Sequence, residues 1–200
     1  MPDFSYEKEA YSKGYKLVCG VDEAGRGPLA GPVCAAAVIL PENCEIDGLN
    51  DSKKISEKKR EMLYDIIIEK AVAYSIAYGT LEEIEEHNIL EATYIAMNRA
   101  IDGLDIKSDF ALIDGNRVPK GIKIPCETVV KGDSKSFSIA AASILAKVTR
   151  DRLMLEYDKK YPQYLFAKHK GYGTKAHYDA IKQHGVCEIH RLSFLKNVLG

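Results

Sequence analysis

The chain has 200 residues, a formal net charge of -1 at pH 7, 46% hydrophobic residues and 28% charged residues. This length predicts one domain with enough chain to bury a core. The composition is ordinary for a globular protein and excludes disorder, collagen and a coiled coil as descriptions of the whole chain. The longest apolar run, 33–40, has the length of a strand. It is far shorter than the ~18 residues of a membrane span.

The cysteines and the charge distribution narrow the class of protein further. Five cysteines lie far apart and form no Cys-x-x-Cys pair, which argues against a disulfide framework and a structural zinc site. No secretory signal is visible at the N-terminus, so we expect a cytoplasmic protein. Residues 1–100 carry 11 basic and 18 acidic side chains (net -7), and residues 101–200 carry 17 and 11 (net +6). The basic half is compatible with a polyanionic partner and equally with a solvated lysine-rich surface.

The first half of the chain predicts two strands, a helix, a third strand and two more helices. Their expected positions are 16–22, 33–40, 56–70 with Ser56 as N-cap, 71–79, and two helices opened by capping boxes at Thr80 and Asn88. A turn rich in glycine and proline joins the first two strands.

The second half predicts a short strand, one or two further strands and two helices. They are expected at 110–113, ending at Asp114, within 122–130, over 137–158, and over 174–184 with Gly185 closing the last helix. Strands come first, then strands mixed with helices, then mostly helix. This order indicates an α/β or α+β fold with a central sheet covered by helices.

The sharpest chemical signal is a hydrophobic strand that runs directly into Asp22 and Glu23. Burying two carboxylates at a strand end is costly unless a cation or strong donors compensate them, and a hard divalent metal would do so. The alternative is a turn whose acids face solvent. Because side chains alternate along a strand, the two acids should point to opposite faces. Either the strand ends at Asp22, or Glu23 reaches the site partly through its backbone carbonyl.

A loop with three glycines and two prolines follows, over 25–32. Its spacing departs from the dinucleotide-binding fingerprint, and it lacks the Gly-Lys-Ser/Thr of a Walker loop. Glycines without side chains instead favour close approach of backbone N–H and C=O groups to a ligand. Arg26, between two of these glycines, is a candidate phosphate contact.

Two more acids, Asp114 and Asp133, follow a predicted strand and precede the long helix, respectively. Each by itself reads equally well as an N-cap or turn residue. If the strands are neighbours, both acids join Asp22 and Glu23 at one sheet edge. Four such carboxylates are the ligand set expected for two Mg²⁺ or Mn²⁺ ions about 4 Å apart, which clamp a phosphodiester for in-line attack by water.

The segment from Val21 to Pro32, VDEAGRGPLAGP, resembles the signature of the type 2 ribonuclease H family, ribonuclease HII. Further blocks resemble that family in the same order and extend the match over roughly residues 16–195. They are NDSKK at 50–54, IDGN at 113–116, KGDS at 131–134, AAASILAKV at 140–148, HKGYGT at 169–174 and HRLSF at 190–194. The type 3 enzymes usually have Gly-Lys-Gly at 25–27 and an additional N-terminal domain, for which this length leaves no room.

The resemblance implies a fold and a reaction. The fold would be a ribonuclease H-like α/β core with a mixed central sheet flanked by helices and a C-terminal helical extension. Residues 1–200 would be one type 2 domain, with the core at about 16–158 and a substrate-binding helical region at about 159–200. The reaction would cut the RNA strand of RNA–DNA hybrids, and single ribonucleotides in duplex DNA, leaving 3′-OH and 5′-phosphate ends. We expect no membrane partner and, by default, a monomer.

The resemblance also implies roles for individual residues. Asp22, Glu23, Asp114 and Asp133 would be the catalytic acids that bind Mg²⁺ or Mn²⁺, two ions per site with substrate bound. Backbone and side-chain groups of Gly25, Arg26 and Gly27 would contact the ribose 2′-OH and a neighbouring phosphate. Tyr172 would pack on the sugar just 3′ of the ribonucleotide.

Several other polar residues are candidate substrate contacts, namely Lys53, Lys54, Asn116, Lys131 and Lys170. Lysine–phosphate contacts supply most non-specific affinity for nucleic acid, although a solvated surface lysine is at least as common. The five histidines show no metal-ligand spacing, and we expect most of them at the surface or in loops. His169, between two lysines, is the histidine most worth testing for substrate contact.

Two other functions remain open at this point. One is a nuclease or resolvase of the same fold that ignores the sugar. The other is a nucleic-acid-binding module whose acids are vestigial. Since the 2′-OH is what distinguishes RNA from DNA at a given nucleotide, the response to a single ribonucleotide separates these alternatives.

Overall fold

A computed structural model describes residues 1–50, 52 and 55–196. Within these residues five strands form one sheet. They are β1 (Val18–Ala24), β2 (Val33–Ile39), β3 (Ala73–Gly79), β4 (Phe110–Asp114) and β5 (Cys126–Val129). The order across the sheet is β3-β2-β1-β4-β5. β1–β2 and β2–β3 pair antiparallel, whereas β1–β4 and β4–β5 pair parallel, so the predicted mixed central sheet is confirmed.

Seven α-helices accompany the sheet in the described residues. They are α1 (Ser5–Ser12), α2 (Glu57–Lys70), α3 (Leu81–His87), α4 (Ile89–Asp102), α5 (Phe137–Lys160), α6 (Phe166–His169) and α7 (Lys175–His184). The predicted N-caps form as expected: the Ser56, Thr80 and Asn88 side chains each accept a hydrogen bond from a first-turn backbone N–H. Gly185, with φ of 75°, ends α7 as predicted.

Helices cover both faces of the sheet. On one face α4 packs against Ala35 and Ala37 of β2, and on the other face α5 packs against Ala36 and Val38 of the same strand. The whole of β2 is buried. This explains why its sequence is a continuous apolar run instead of an alternating one.

Close packing of α5 against β1 is made possible by a glycine. A Cβ at Gly20 would lie 2.1 Å from the backbone carbon of Ser138, so only a residue without a side chain allows this approach. The acid that follows two residues later, Asp22, therefore lies against α5.

The C-terminal region packs on the core as a separate cluster around Met154, Tyr164 and Phe166. The chain then returns to the glycine-rich loop at 25–32. There the backbone N–H of Arg191 donates to the carbonyl of Leu29, and the N–H of Gly31 donates to the carbonyl of Ile189, both at 2.8 Å. The last described segment thus lies against the loop that follows β1.

One helix differs from the sequence-based expectation. Helix α1 has no predicted counterpart, and its buried Glu7 accepts hydrogen bonds from the Ser136 hydroxyl and the Ser138 backbone N–H at the start of α5. Of the one or two strands predicted within 122–130, the structure has one, β5. All five cysteines are free. In the described part of the chain, no helix is both long and apolar enough to cross a membrane.

Candidate active site

The acids predicted at strand ends share one edge of the sheet because their strands are parallel neighbours. The β1–β4 register pairs Val21 with Ile113, which places Asp22 and Asp114 side by side as the next residues along the two strands. β5 runs parallel to β4, and its carboxyl end leads after Val129 to the turn that contains Asp133. The parallel half of the sheet therefore brings these three positions to one edge.

The Asp22 carboxyl at this edge is buried and has a raised pKa. It is 5% exposed, and its Oδ1 accepts the backbone N–H of Glu23 at 2.7 Å. Burial raises the pKa of its carboxyl well above the ordinary value, and the nearby carboxylates of Glu23 and Asp114 raise it further. Hydrogen bonds from Ser143 and from the backbone of Glu23 offset this in part. A positive charge placed here would relieve the repulsion.

The position of Glu23 in β1 decides one of the two alternatives for the adjacent acids. The strand does not end at Asp22 but continues to Ala24, paired with β2 on one side only beyond Val21. Glu23 lines a cavity of about 200 Å³ together with Asp22, and a second cavity of about 320 Å³ together with Asp114. Because the end of β1 lacks a neighbour on the β4 side, a glutamate there stands between the two cavities.

Asp133 is connected to the other acids through the backbone. It is buried in a 3₁₀ turn, Gly132–Ser134, and the N–H of Gly132 donates to Asp114 Oδ1 at 2.6 Å. A Cβ at Gly132 would lie 3.3 Å from the same oxygen and 2.5 Å from Ile139. Glycine at 132 thus permits the turn that carries Asp133 to approach Asp114.

The side chains at this edge are of the chemical type that binds a divalent cation. Among the described residues no group of three or more His, Cys, Asp or Glu side chains is already arranged to hold a metal ion. The chemistry of the donors nevertheless matches a hard cation, since carboxylate oxygens are the ligands that Mg²⁺ and Mn²⁺ prefer. Burial of Asp22, together with like-charge repulsion from Glu23 and Asp114, raises the pKa of its carboxyl, and this supports the fit.

The glycine-rich loop lies beside the acids. Gly25 has φ of +96°, and a Cβ there would lie 1.9 Å from Arg150 Nε, so both backbone conformation and space require glycine. Gly27 has no such restriction, and the nearest atom to a Cβ would be Tyr172 Cε1 at 3.5 Å. Arg26 is exposed and lies 3.4 Å from Glu23. Gly25, Arg26, Gly27 and Tyr172 all line the cavity that contains Asp22 and Glu23.

Two buried arginines lie beneath this loop. Arg191 is fully buried, and its guanidinium donates to the backbone carbonyls of Gly25, Arg26, Pro28 and Gly31 at 2.6–2.9 Å. Burial and the neighbouring Arg150 lower the pKa of Arg191, which remains protonated at neutral pH. The segment 21–32 contains neither arginine, because both lie far from the loop in the chain.

The backbone of Tyr172 contacts a cluster of three buried histidines, His169, His177 and His190. Tyr172 is 45% exposed, and its carbonyl lies 2.9 Å from His177 Nδ1. His177 Nε2 lies 3.1 Å from His190 Nε2, and its ring stacks on His169 at 4.5 Å. The expectation that most histidines lie at the surface or in loops is wrong for His169 and His177, which lie in helices, and all three rings are buried, with 8% exposure or less. Both ring nitrogens of His169 lie within hydrogen-bond distance of main-chain atoms, of Tyr164 and Gly171, and so are engaged within the protein. Packing against Phe166 and Tyr164 explains the burial of the three rings.

The remaining candidate substrate contacts have different surroundings. Lys53 and Lys54 lie outside the described residues. Asn116 lines the larger cavity with Glu23 and Asp114, and Lys131 is exposed next to the Asp133 turn. The Lys170 side chain is only 13% exposed, and its ammonium donates to the Ala167 carbonyl at 2.6 Å and lies 3.7 Å from Glu57.

The structure adds to the cavity three polar residues that are not among the candidate site residues above. Ser52, Ser143 and Lys147 line the cavity with Asp22, and the two serine hydroxyls lie 2.9 Å apart. Lys147 is paired with Asp151 at 2.7 Å. The sequence could have indicated two of them together, because Ser143 and Lys147 are four residues apart on a predicted helix and therefore share a face.

Two solved structures that share this fold are ribonucleases H. The ribonuclease H2 of Pyrococcus horikoshii OT3 is 29% identical in sequence, with a TM-score of 0.75 over 89% of this chain and 93% of that chain. The Bst ribonuclease HIII in complex with Mn²⁺ is 18% identical, with a TM-score of 0.70 over 92% of this chain and 69% of that one. The fold is therefore that of the ribonuclease H class.

Sequence comparison narrows this class to one family. The family model for ribonuclease HII matches residues 19–197, and the chain belongs to this family. The ribonuclease HII of Endomicrobium trichonymphae is 58% identical over 191 residues, covering 96% of this chain and 91% of the relative. That of Acinetobacter baylyi is 60% identical over 178 residues, covering 89% and 94%. The chain is thus an endonuclease of the ribonuclease H type, whose family acts on RNA–DNA hybrids and depends on divalent metal ions.

Proposed function

We propose that this enzyme cuts the RNA strand of hybrids and also cuts at single ribonucleotides embedded in duplex DNA, leaving 3′-OH and 5′-phosphate ends. The observation that carries the proposal is one cavity lined by both Asp22 and Glu23 and by the loop Gly25, Arg26 and Gly27. In this cavity the group that distinguishes RNA from DNA and the bond to be cut would lie within reach of the same few residues.

The acids would hold the cations on which the reaction depends. Asp22, Glu23, Asp114 and Asp133 are the proposed ligands of two Mg²⁺ or Mn²⁺ ions, which when bound supply an activated water and neutralise charge on the phosphodiester. Asp22 and Asp114 project from neighbouring parallel strands, which are rigid supports for such ligands. Asp133 is held near them by the hydrogen bond from Gly132 to Asp114.

The glycine loop and Tyr172 would read the sugar. Gly27 leaves its backbone open to the cavity, so that a ribose can approach main-chain N–H and C=O groups closely. Arg26 is half exposed beside Glu23 and would contact a phosphate. The ring of Tyr172 lies next to Gly27 and would pack on the sugar 3′ of the ribonucleotide. Residues 159–200 would thus contribute to substrate binding, and residues 1–200 would act as one domain.

A duplex with a single ribonucleotide, compared with the all-DNA duplex of the same sequence, tests this function in Mg²⁺ and in Mn²⁺. We expect cleavage of the first at the ribonucleotide and none of the second. Equal cutting of both would support the sugar-blind nuclease instead. Absence of turnover in both metals, with binding retained, would support the binding module.

Tyr172→Ala tests the part of the site outside the acids. The variant should lose preference for an RNA–DNA junction over continuous RNA by several fold and keep its stability, since the ring is nearly half exposed. Tyr74→Ala, a similarly exposed tyrosine on the edge strand β3, is the matched control and should leave the preference unchanged. Unchanged junction preference in Tyr172→Ala would remove this residue from the proposed site.

A further inference from the structure

The glycine loop is held from below by a buried guanidinium. Every hydrogen bond described for the Arg191 guanidinium goes to a main-chain carbonyl of the loop: Nε donates to Gly31, Nη1 to Arg26 and Pro28, and Nη2 to Gly25. The shortest of these bonds joins residues 166 apart in the chain. A buried charge is costly unless it is fully hydrogen-bonded, and here the loop itself provides the acceptors.

Arg150 extends the same support to the neighbouring segments. Its guanidinium donates to the carbonyls of Pro32, Ala30 and Lys170 at 2.9–3.0 Å. Lys170 lies two residues before Tyr172, and the Leu29 backbone N–H donates to the Gly171 carbonyl at 2.8 Å. The loop and the Tyr172 segment are therefore joined to each other and to α5.

The direction of these bonds determines which way the loop presents its N–H groups. In a trans peptide the C=O and the following N–H point in opposite directions, and no peptide in the described residues is cis. Because the carbonyls of Gly25 and Arg26 point toward Arg191, the N–H groups of Arg26 and Gly27 point away from it. The described residues offer neither N–H a hydrogen-bond acceptor. Both residues line the cavity that contains Asp22 and Glu23.

We propose that Arg191, assisted by Arg150, is a positioning residue for ribose recognition. Its hydrogen bonds hold the carbonyls of the glycine loop toward the protein interior, and as a result the N–H groups of Arg26 and Gly27 point toward the substrate. The inference rests on the proposed function, because it assigns the support of the groups that would read the 2′-OH. The planar fork of a guanidinium is needed for this task. A lysine at 191 would keep the positive charge, but an ammonium cannot reproduce the four fixed directions.

Arg191→Lys is the test, and Arg152→Lys is the matched control. Arg152 lies on the surface of α5, where it pairs with Glu61 and stacks on Tyr64. Two properties are measured for each variant: kcat/KM on the duplex with one ribonucleotide, and the affinity for the all-DNA duplex in Ca²⁺. Hydrogen exchange of the peptide that spans 24–32 reports the loop itself.

We expect Arg191→Lys to lose about 10- to 100-fold in kcat/KM, because small misplacements of recognition groups have effects of that size. The affinity for all-DNA duplex should change less than about twofold, since phosphate contacts elsewhere supply it. Exchange at 24–32 should rise, and Arg152→Lys should match the wild type in all three measurements. A general loss of folding would lower both the kcat/KM and the DNA affinity.

Unchanged kcat/KM in Arg191→Lys, or an equal loss of all-DNA binding, would overturn the assignment. If this variant does not fold, the same measurements are made on Arg150→Lys, and failure of both to fold would show a role in stability and overturn positioning. Failure of the proposed function is visible separately. It would show as wild-type enzyme that ignores the ribonucleotide, while the exchange measurement would still report whether Arg191 holds the loop.

Discussion

Two regions of this enzyme bury charged side chains and compensate the charge in opposite ways. One is the sheet edge with Asp22, Glu23, Asp114 and Asp133, called the acid edge here, and the other is the glycine loop at 25–32 with Arg191 beneath it. At the edge, Asp22 is buried among carboxylates that raise its pKa, so its charge has too little compensation from within the protein. Below the loop, Arg191 is buried more deeply, yet its guanidinium donates to four backbone carbonyls. A ligand of opposite charge would compensate the first region, and the other is complete without one.

This difference shows that burial of a charged group does not by itself mark a catalytic site. A buried charge with its hydrogen bonds satisfied acts on the shape of the backbone around it. A buried charge that faces charges of the same sign indicates a missing partner. In this enzyme the two kinds lie on either side of one cavity, so changes on each side should have separable effects.

The largest effect is expected at the acid edge from Asp114→Asn. The variant keeps an oxygen that can accept the Gly132 N–H but loses one of the charges that act on Asp22. We expect cleavage to fall by at least about 10³-fold, on the scale of losing a group that stabilises transition-state charge, while the fold and hybrid binding persist. Cleavage assays and thermal melts with and without Mg²⁺ measure this.

The thermal melts compare how far Mg²⁺ raises the melting temperature of each protein. Mg²⁺ should raise the melting temperature of the wild type by binding the folded state, and should raise that of Asp114→Asn less. Asp102→Asn, an exposed aspartate paired with Lys123 at the end of α4, is the control and should behave as the wild type. Normal cutting by Asp114→Asn would mean that the acid edge is not the catalytic site.

On the loop side, Gly25→Ala should mainly reduce stability. A Cβ at 25 meets Arg150 Nε at 1.9 Å and forces a residue with a side chain to φ of +96°. These two faults together should lower the free energy of unfolding by about 2–4 kcal/mol. Urea denaturation measures the loss.

Gly27→Ala is the matched variant, because its Cβ would find only an ordinary contact with Tyr172 at 3.5 Å. It should change the free energy of unfolding by less than about 0.5 kcal/mol and reduce cleavage about tenfold by obstructing the approach of the ribose. Equal stability losses for the two variants would show that Arg150 does not restrict Gly25 specifically.

Arg26→Ala should reduce cleavage with little effect on folding. The side chain is half exposed, and an exposed ion pair such as its contact with Glu23 contributes at most about 1 kcal/mol to stability. Loss of a phosphate contact should lower kcat/KM about tenfold, an effect equivalent to ~1.4 kcal/mol. Arg152→Ala, equally exposed and paired with Glu61, should leave cleavage unchanged. A stability loss larger than the loss of cleavage would contradict the assignment.

The smallest expected effect is on the pH dependence of stability and comes from His177, an ionisable side chain that is buried in its neutral form. Burial lowers the pKa of His177 from 6.5 to about 4. The unfolded chain therefore binds this proton at higher pH than the folded chain does. The stability from the neutral ring is fully present above pH 6.5 and is lost as the pH falls toward 4.

Denaturation curves of wild type and His177→Gln at pH 7 and pH 5 test this expectation. The wild type should lose more stability between the two pH values than the variant. His190 and His169, which contact the same ring, also have lowered pKa values and remain in both proteins. Identical pH dependence of the two proteins would show that His177 does not titrate in this range.

Much of the fold and of the candidate site was predictable from local patterns. Alternation and apolar runs predicted β2 and β3, and polar residues before apolar periodicity predicted the N-caps of α2, α3 and α4. The strand-end position of Asp22 and Asp114 predicted a shared edge, which the parallel register provides. These features depend on neighbours a few residues away, and therefore they are visible in the sequence.

Helix α1 and the buried histidines escaped prediction for the opposite reason. The hydrogen-bond donors to the buried Glu7 are not nearby in the chain, because its Oε1 accepts from the start of α5, about 130 residues later. The histidines show no metal spacing and resemble loop residues in the sequence. Only their packing around Tyr164 and Phe166 makes them buried and neutral.

The sequence by itself indicated the family, the strand-end acids and the glycine loop, because each is expressed in contiguous residue types or short spacings. The mixed sheet was expected only through the resemblance to the family. Only the tertiary structure decided that Glu23 lines two cavities and that Arg191 fixes the loop from 166 residues away. The physical reason is that compensation of a buried charge depends on which distant groups the folded chain brings within hydrogen-bond distance.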